Sequence, residues 1–199
     1  YRIVFRLADR IRMDNSEQKK AIDLEIKAIE VAEKEGRKLD IARHLEMLSL
    51  TYMQQGAHSE AEAACTRALS IREEELGSEH LYLTMPLSVL CQVKEQKGNL
   101  EEAVTYCKRA IVIKKKWYGE EHPSVANSYF YIALLYKAQG MRKESHKLFK
   151  QALCIRKNIF EPGHPDRLVS IDSVYPGFIA FILKFVEFVR AIRKSSKTT

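Results

Sequence analysis

Residues 48–71 read LSLTYMQQGAHSEAEAACTRALSI, residues 90–113 read LCQVKEQKGNLEEAVTYCKRAIVI, and residues 132–155 read IALLYKAQGMRKESHKLFKQALCI. Laid over one another, the three stretches keep Gly56, Gly98 and Gly140 in one column. Ala68, Ala110 and Ala152 form a second column, and Ile71, Ile113 and Ile155 a third. Glu60, Glu102 and Glu144, then His80, His122 and His164, hold the same 42-residue step. A period of this length marks a repeat architecture built from one supersecondary unit. A single unit has one apolar face that it cannot bury, whereas stacked units share a core and leave an extended groove.

Working outward, each repeat parses as two antiparallel helices, A and B. Residues 38–55 form helix A and 58–76 helix B, with the turn at Gly56 and a stop at Gly77. The pair recurs at 81–97 and 100–118, turning at Gly98-Asn99, and again at 123–139 and 142–160. The repeats thus occupy about 38–77, 80–119 and 122–161, after a partial leading unit at 1–35. In that leading unit Asn15 to Glu35 reads as helix B, ended by Gly36 in the usual C-cap manner, and Tyr1 to Met13 as helix A. The start inside a helix, without an initiator Met, suggests a piece of a longer protein. Pro123 suits the first turn of a helix, whereas Pro86 predicts that its helix A starts late or kinks.

Two helices approach closely only where side chains are small. Ser49, Cys91 and Ala133 supply this on helix A, and Ala61, Ala103 and Ser145 on helix B. Leu45, Leu87 and Tyr129, with Leu48, Leu90 and Ile132, fill the space between. Tyr52 and Tyr136 extend that core, and Lys94 interrupts their column.

Composition agrees with one helical domain. Of 199 residues 46% are hydrophobic and 30% charged, and 8 Gly and 5 Pro leave room for long helices. The net charge of +7 is spread among many acids and does not by itself demand nucleic acid. Cys65 and Cys107 share a repeat position with Phe149, which asks for a hydrophobe there. No pair among Cys65, Cys91, Cys107 and Cys154 has zinc-type spacing. All four are therefore expected to be buried, reduced thiols, which points to a cytoplasmic setting.

After Asp166 the register is expected to fail, because the period would place Pro176 inside a helix A. Residues 167–199 form a divergent C-terminal segment. Within it Gly177 to Lys194 reads as a helix that caps the last repeat, with Lys184, Glu187 and Arg190 on its polar side. Five basic residues against one acid between Lys184 and Thr199 also suit an anionic membrane surface, while the run is too short and too charged to span a bilayer.

No phosphate-binding glycine loop, HExxH or GxSxG is present, so no catalytic residue, metal ligand or cofactor is expected, and no small-molecule substrate. The periodic histidines lie a full repeat apart and read as helix-start residues. Glu73-Glu74-Glu75 and Lys114-Lys115-Lys116 read as solvated charge runs at helix ends.

The order Leu48-Ser49, Tyr52, Gly56, Ala61, Cys65, Ala68 resembles the tetratricopeptide repeat. The 42-residue period, the linkers LGSEH (76–80) and YGEEHP (118–123), and the runs RALSIR (67–72) and KRAIVI (108–113) resemble the kinesin light chain type. The resemblance covers roughly residues 16–166 and implies an all-α solenoid, a right-handed superhelix of helix pairs. It also implies a concave groove lined by helix A residues. Carried over by register, these are Arg43, Glu46, Leu50, Met53 and Gln54, then Met85, Ser88, Gln92, Glu95 and Gln96, then Asn127, Phe130, Leu134, Lys137 and Ala138. Periodicity alone does not separate groove from core. The Asn-Asn pair that kinesin light chains carry on helix A is replaced by Glu46-Met47, Ser88-Val89 and Phe130-Tyr131. The expected function is a non-enzymatic scaffold or adaptor that binds a protein or peptide segment. The alternatives are the repeat arm of a larger signalling NTPase, and nucleic-acid binding by Lys108, Arg109 and Lys114 to Lys116. The partner, its motif and the oligomeric state are not legible.

Overall fold

The protein is seen in a computed structural model that describes residues 15–177. All regular elements among them are helical, and the chain divides into two compact units, 1–113 and 114–199.

The first unit holds α1 (Asn15–Lys34), α2 (Lys38–Gln54), α3 (His58–Leu76), a 3-10 turn (Leu81–Leu83), α4 (Thr84–Gln96) and most of α5 (Leu100–Tyr118). Each A-to-B turn is closed by a glycine at positive φ, 73° at Gly56 and 80° at Gly98. That conformation penalises any side chain with a Cβ. Around Gly56 the Ala57 N–H returns to the Tyr52 carbonyl at 2.9 Å and the Gly56 N–H to Met53 at 3.2 Å, which satisfies carbonyls the helix end leaves open. Pro86 acts as expected. The chain makes a 3-10 turn first and α4 begins at Thr84, so the buried proline falls in its first turn.

Among the described residues two apolar clusters hold this unit together. Ile29, Ile41, Leu45, Leu48 and Ala68 join α1, α2 and α3. Cys65, Leu69, Leu87, Leu90, Val93 and Ile113 join α3, α4 and α5. The small residues sit where the helices close on one another: Ser49, Ala61, Cys91 and Ala103 are fully buried. Lys94 does not break the core. Its stem is buried and its ammonium lies 2.8 Å from Glu62 and 2.6 Å from Glu102, so charge replaces the ring of Tyr52 at this position.

The cysteines differ from expectation. Cys91 on α4 and Cys107 on α5 are joined by a disulfide across a Cα–Cα distance of 5.9 Å. The cause is positional: the small site on helix A faces the hydrophobic site on helix B, and only this repeat puts sulfur at both. The preceding repeat has Ser49 against Cys65, and the following one has Ala133 and Phe149. Cys65 is a buried free thiol, pushed up to about 12 by desolvation, and Cys154 is free but exposed.

The second unit holds the end of α5, then α6 (Pro123–Ala138), α7 (Arg142–Ile159) and α8 (Pro165–Val174). Phe130, Ala133, Phe149, Ala152, Leu153 and Val174 form its core, with the Phe130 and Phe149 rings edge to face at 5.1 Å. Helix α8 begins in register and stops before Pro176, where the proline was expected to break a helix A. His164-Pro165 opens it as His122-Pro123 opens α6, and it runs ten residues before Pro176. The helices expected at Tyr1 to Met13 and beyond Gly177 lie outside the described residues.

Candidate partner-binding surface

Among the described residues of the first unit, α2 and α4 are the helix A elements, and they lie in contact. Arg43, Gln54, Met85, Gln92 and Gln96 are exposed on them. Leu50 and Met53 are half-buried and rest on the cluster built around Leu87 and Leu90. The result is a polar rim over an apolar floor. Arg43 is held by Asp40, one turn earlier, at 3.2 Å. The Ser88 hydroxyl donates to the Thr84 carbonyl at 2.7 Å, and Glu95 is half-buried.

Glu46 is not on that surface. It is 3% exposed, and its carboxylate accepts two hydrogen bonds from Arg72, from Nε at 2.5 Å and from Nη2 at 2.8 Å. Burial drives the Glu46 carboxyl above the usual carboxylate range, against the downward pull of Arg72. The Arg72 guanidinium also lies 5.4 Å from the centre of the Tyr82 ring.

In the second unit Asn127 and Leu134 are half-buried, and Lys137 and Ala138 are exposed. Phe130, assigned to the groove by register, is 7% exposed and belongs to the core. Its face is covered by the Arg156 guanidinium at 4.7 Å. Arg156 is itself buried and donates to Asn127 Oδ1 at 2.7 Å, Ser170 Oγ at 2.7 Å and the Asp166 carbonyl at 2.9 Å. Asn127 therefore spends its acceptor inside the protein.

Register reasoning overlooks Arg72, Lys114 and Arg156. They share one helix B column, basic in every repeat, and this recurrence among apolar neighbours is the available signal. Lys114 in particular is half-buried. It donates to Ser128 Oγ at 3.0 Å, and burial lowers its pKa. The acidic run is also engaged: Lys38 bridges Glu74 and Glu75, and Arg109 pairs with Glu73.

The histidines do start helices. Nδ1 of His80, His122 and His164 accepts the backbone N–H two residues on, from Tyr82 at 3.2 Å, Ser124 at 3.1 Å and Asp166 at 3.2 Å. Each caps one of the donors that a helix start leaves open. Among the described residues no group of His, Cys, Asp and Glu is placed to hold a metal, and no helix is long and apolar enough to cross a membrane.

Residues 82–158 match one tetratricopeptide repeat profile and residues 41–82 match another. No curated protein matches the chain. Among solved structures, the chain is similar to kinesin light chain-like nearly identical TPR-like repeats from Podosopora anserina, with 24% identity and a TM-score of 0.72 over 98% of this chain and 95% of that one. A substituted form of the same protein gives 25% identity and a TM-score of 0.73, covering 98% and 94%. BtubC (BKLC) from P. vanneervenii shares the fold at 21% identity and a TM-score of 0.75, covering 94% and 78%. These likenesses make the architecture an all-α TPR solenoid. The recurring helix pairs, the glycine turns and the matched profiles together establish that the chain belongs to the tetratricopeptide repeat family, with 42-residue repeats of the kinesin light chain type.

Proposed function

We propose that this protein is a non-enzymatic adaptor that binds an extended or helical segment of a partner protein along its helix A faces. The observation that carries the reading is the surface of α2 and α4. Leu50 and Met53 offer apolar contact, and Arg43, Gln54, Met85, Gln92 and Gln96 surround them exposed. Adaptable Met side chains and amide groups suit recognition of a peptide by shape and hydrogen bonds. Leu134 and Lys137 on α6 offer a smaller surface of the same kind. The members of the predicted set that carry recognition are then the exposed and half-buried ones, and Glu46 and Phe130 support the surface from beneath.

The experiment is capture of partner segments by the full chain, with affinity measured for the unaltered protein and for Gln54→Arg and Gln92→Arg. Both side chains are exposed, so the fold should survive. A loss of tenfold or more in affinity, about 1.4 kcal/mol, is the expected result. Unchanged affinity in both variants places the partner elsewhere. A cytoplasmic location belongs to this reading. The free thiols of Cys65 and Cys154 fit it, whereas the Cys91–Cys107 bridge does not. Counting blocked thiols in freshly lysed cells separates the two settings.

A further inference from the structure

We propose that the outer face of α7 is a docking surface for an acidic phospholipid membrane. Residues 142–159 carry six basic side chains and one acidic one, Glu144. Lys143, Lys147, Lys150 and Lys157 are all exposed and stand at i, i+4, i+7 and i+14, so they form one stripe along the helix. The rise of an α-helix makes that stripe about 21 Å long. Its opposite side, with Phe149, Ala152, Leu153 and Ile155, is the buried one.

Three observations separate this stripe from an ordinary solvated face. First, the repeat does not require it. The matching positions on α3 are Ser59, Ala63, Thr66 and Glu73, and on α5 they are Glu101, Thr105, Lys108 and Lys115. Secondly, no ion pair among the described residues involves these four lysines or Arg142. In the first unit Lys38, Arg67, Lys94 and Lys97 are each tied to a carboxylate. Thirdly, like charges one turn apart work against the helix, so Lys143 and Lys147, or Lys150 beside Lys147, add nothing to its stability. The stripe is explained by something outside the chain that is negative.

A bilayer fits better than a nucleic acid. The four residues of the stripe are all lysines, with no arginine fork among them for base edges or phosphates. Lysines on flexible stems suit a plane of anionic headgroups, where each contributes to attraction without a fixed geometry. Helix α8, which packs on α7, exposes Val169, and Tyr175 just after it is exposed as well. The sequence beyond Gly177 then reads FIAFILKFVEFVRAIRKSSKTT, which is apolar and basic. Apolar and cationic surface together is the composition of a membrane-surface contact.

The test is co-sedimentation of the full chain with phosphatidylcholine vesicles, with and without phosphatidylserine. Binding should require phosphatidylserine and weaken as salt is added. The variant Lys143→Glu, Lys147→Glu, Lys150→Glu, Lys157→Glu should lose at least about tenfold in binding, since surface lysines contribute individually. If circular dichroism shows that variant to be unfolded, Lys147→Gln with Lys150→Gln reads the same effect with less charge change. Equal binding to neutral vesicles overturns the proposal. So does a folded stripe variant that binds as well as the parent, because residues after Gly177 then act alone. Tighter binding to duplex DNA than to phosphatidylserine vesicles, lost in the stripe variant, assigns the face to nucleic acid instead and equally overturns it.

Discussion

Arg72 grips Glu46 through two hydrogen bonds, and two repeat lengths later Arg156 lies over Phe130 in the same register. One buried cation is balanced by a carboxylate and the other by an aromatic face with Asn127 and Ser170. The helix B column stays basic while the helix A column changes from Glu46 to Ser88 to Phe130. The first and third repeats therefore keep the cation and offset its desolvation differently. Removing one partner of a buried pair strands the other. Glu46→Ala is expected to cost the first unit about 3–5 kcal/mol. Glu46→Phe should cost less, because it places beneath Arg72 the ring that Phe130 places beneath Arg156. Denaturant unfolding of both variants checks this. Equal losses show that the ring does not replace the carboxylate.

The helices are legible in the sequence because their signals repeat. Gly56, Gly98 and Gly140 mark the turns, Ala68, Ala110 and Ala152 the tight contacts, and His80, His122 and His164 the starts. What is not legible depends on two columns at once. Residue 46 reads as groove until Arg72 is known to point at it, and the fixed helical angle of Phe130 cannot say that Arg156 covers its ring. The end of the last described helix, by contrast, is legible as well. Pro176 restricts the residue before it and ends the helix there. Taken alone, Cys91 reads as small and Cys107 as hydrophobic, and their meeting is a property of the pair.

The acid response of the first unit should pass through Glu62. Hydrogen bonds from Lys94 and Lys97 hold its carboxyl below the usual range. A carboxyl whose pKa is lower folded than unfolded adds stability that is full above the unfolded value, near 4.3, and is lost as pH falls through the folded value. Stability should therefore hold from neutral pH to about 4.3 and fall below it. Glu62→Gln, which cannot titrate, should show a shallower fall over the same window. Parallel curves for the two proteins would assign the acid response to other carboxylates.

The Cys91–Cys107 bridge closes a short loop, with a sequence separation of 16 residues. Cross-linking a loop of this length restricts the unfolded chain by about 3 kcal/mol. A reductant should lower the unfolding midpoint of the full chain by a corresponding amount. Cys91→Ala, which installs the residue found at Ala133, should remove the response to reductant. A midpoint that does not change with reductant in the parent means that the pair is a dithiol under those conditions.

Phe130→Ala should act on stability before it acts on binding. The ring is buried against Phe149 and beneath Arg156, and truncating a buried Phe costs about 3–5 kcal/mol. It also leaves a buried guanidinium facing a cavity. Met53→Ala is the contrasting case, because Met53 is half-buried at the edge of its cluster and remains open to a partner. Thermal unfolding and partner affinity should be measured on both. The expected pattern is a large stability loss for Phe130→Ala, and for Met53→Ala a loss of affinity with helix content unchanged. If Phe130→Ala keeps its stability and loses the partner, the side chain must turn outward in solution. If Met53→Ala unfolds the unit, the floor of the groove is part of the core and recognition rests on the exposed rim.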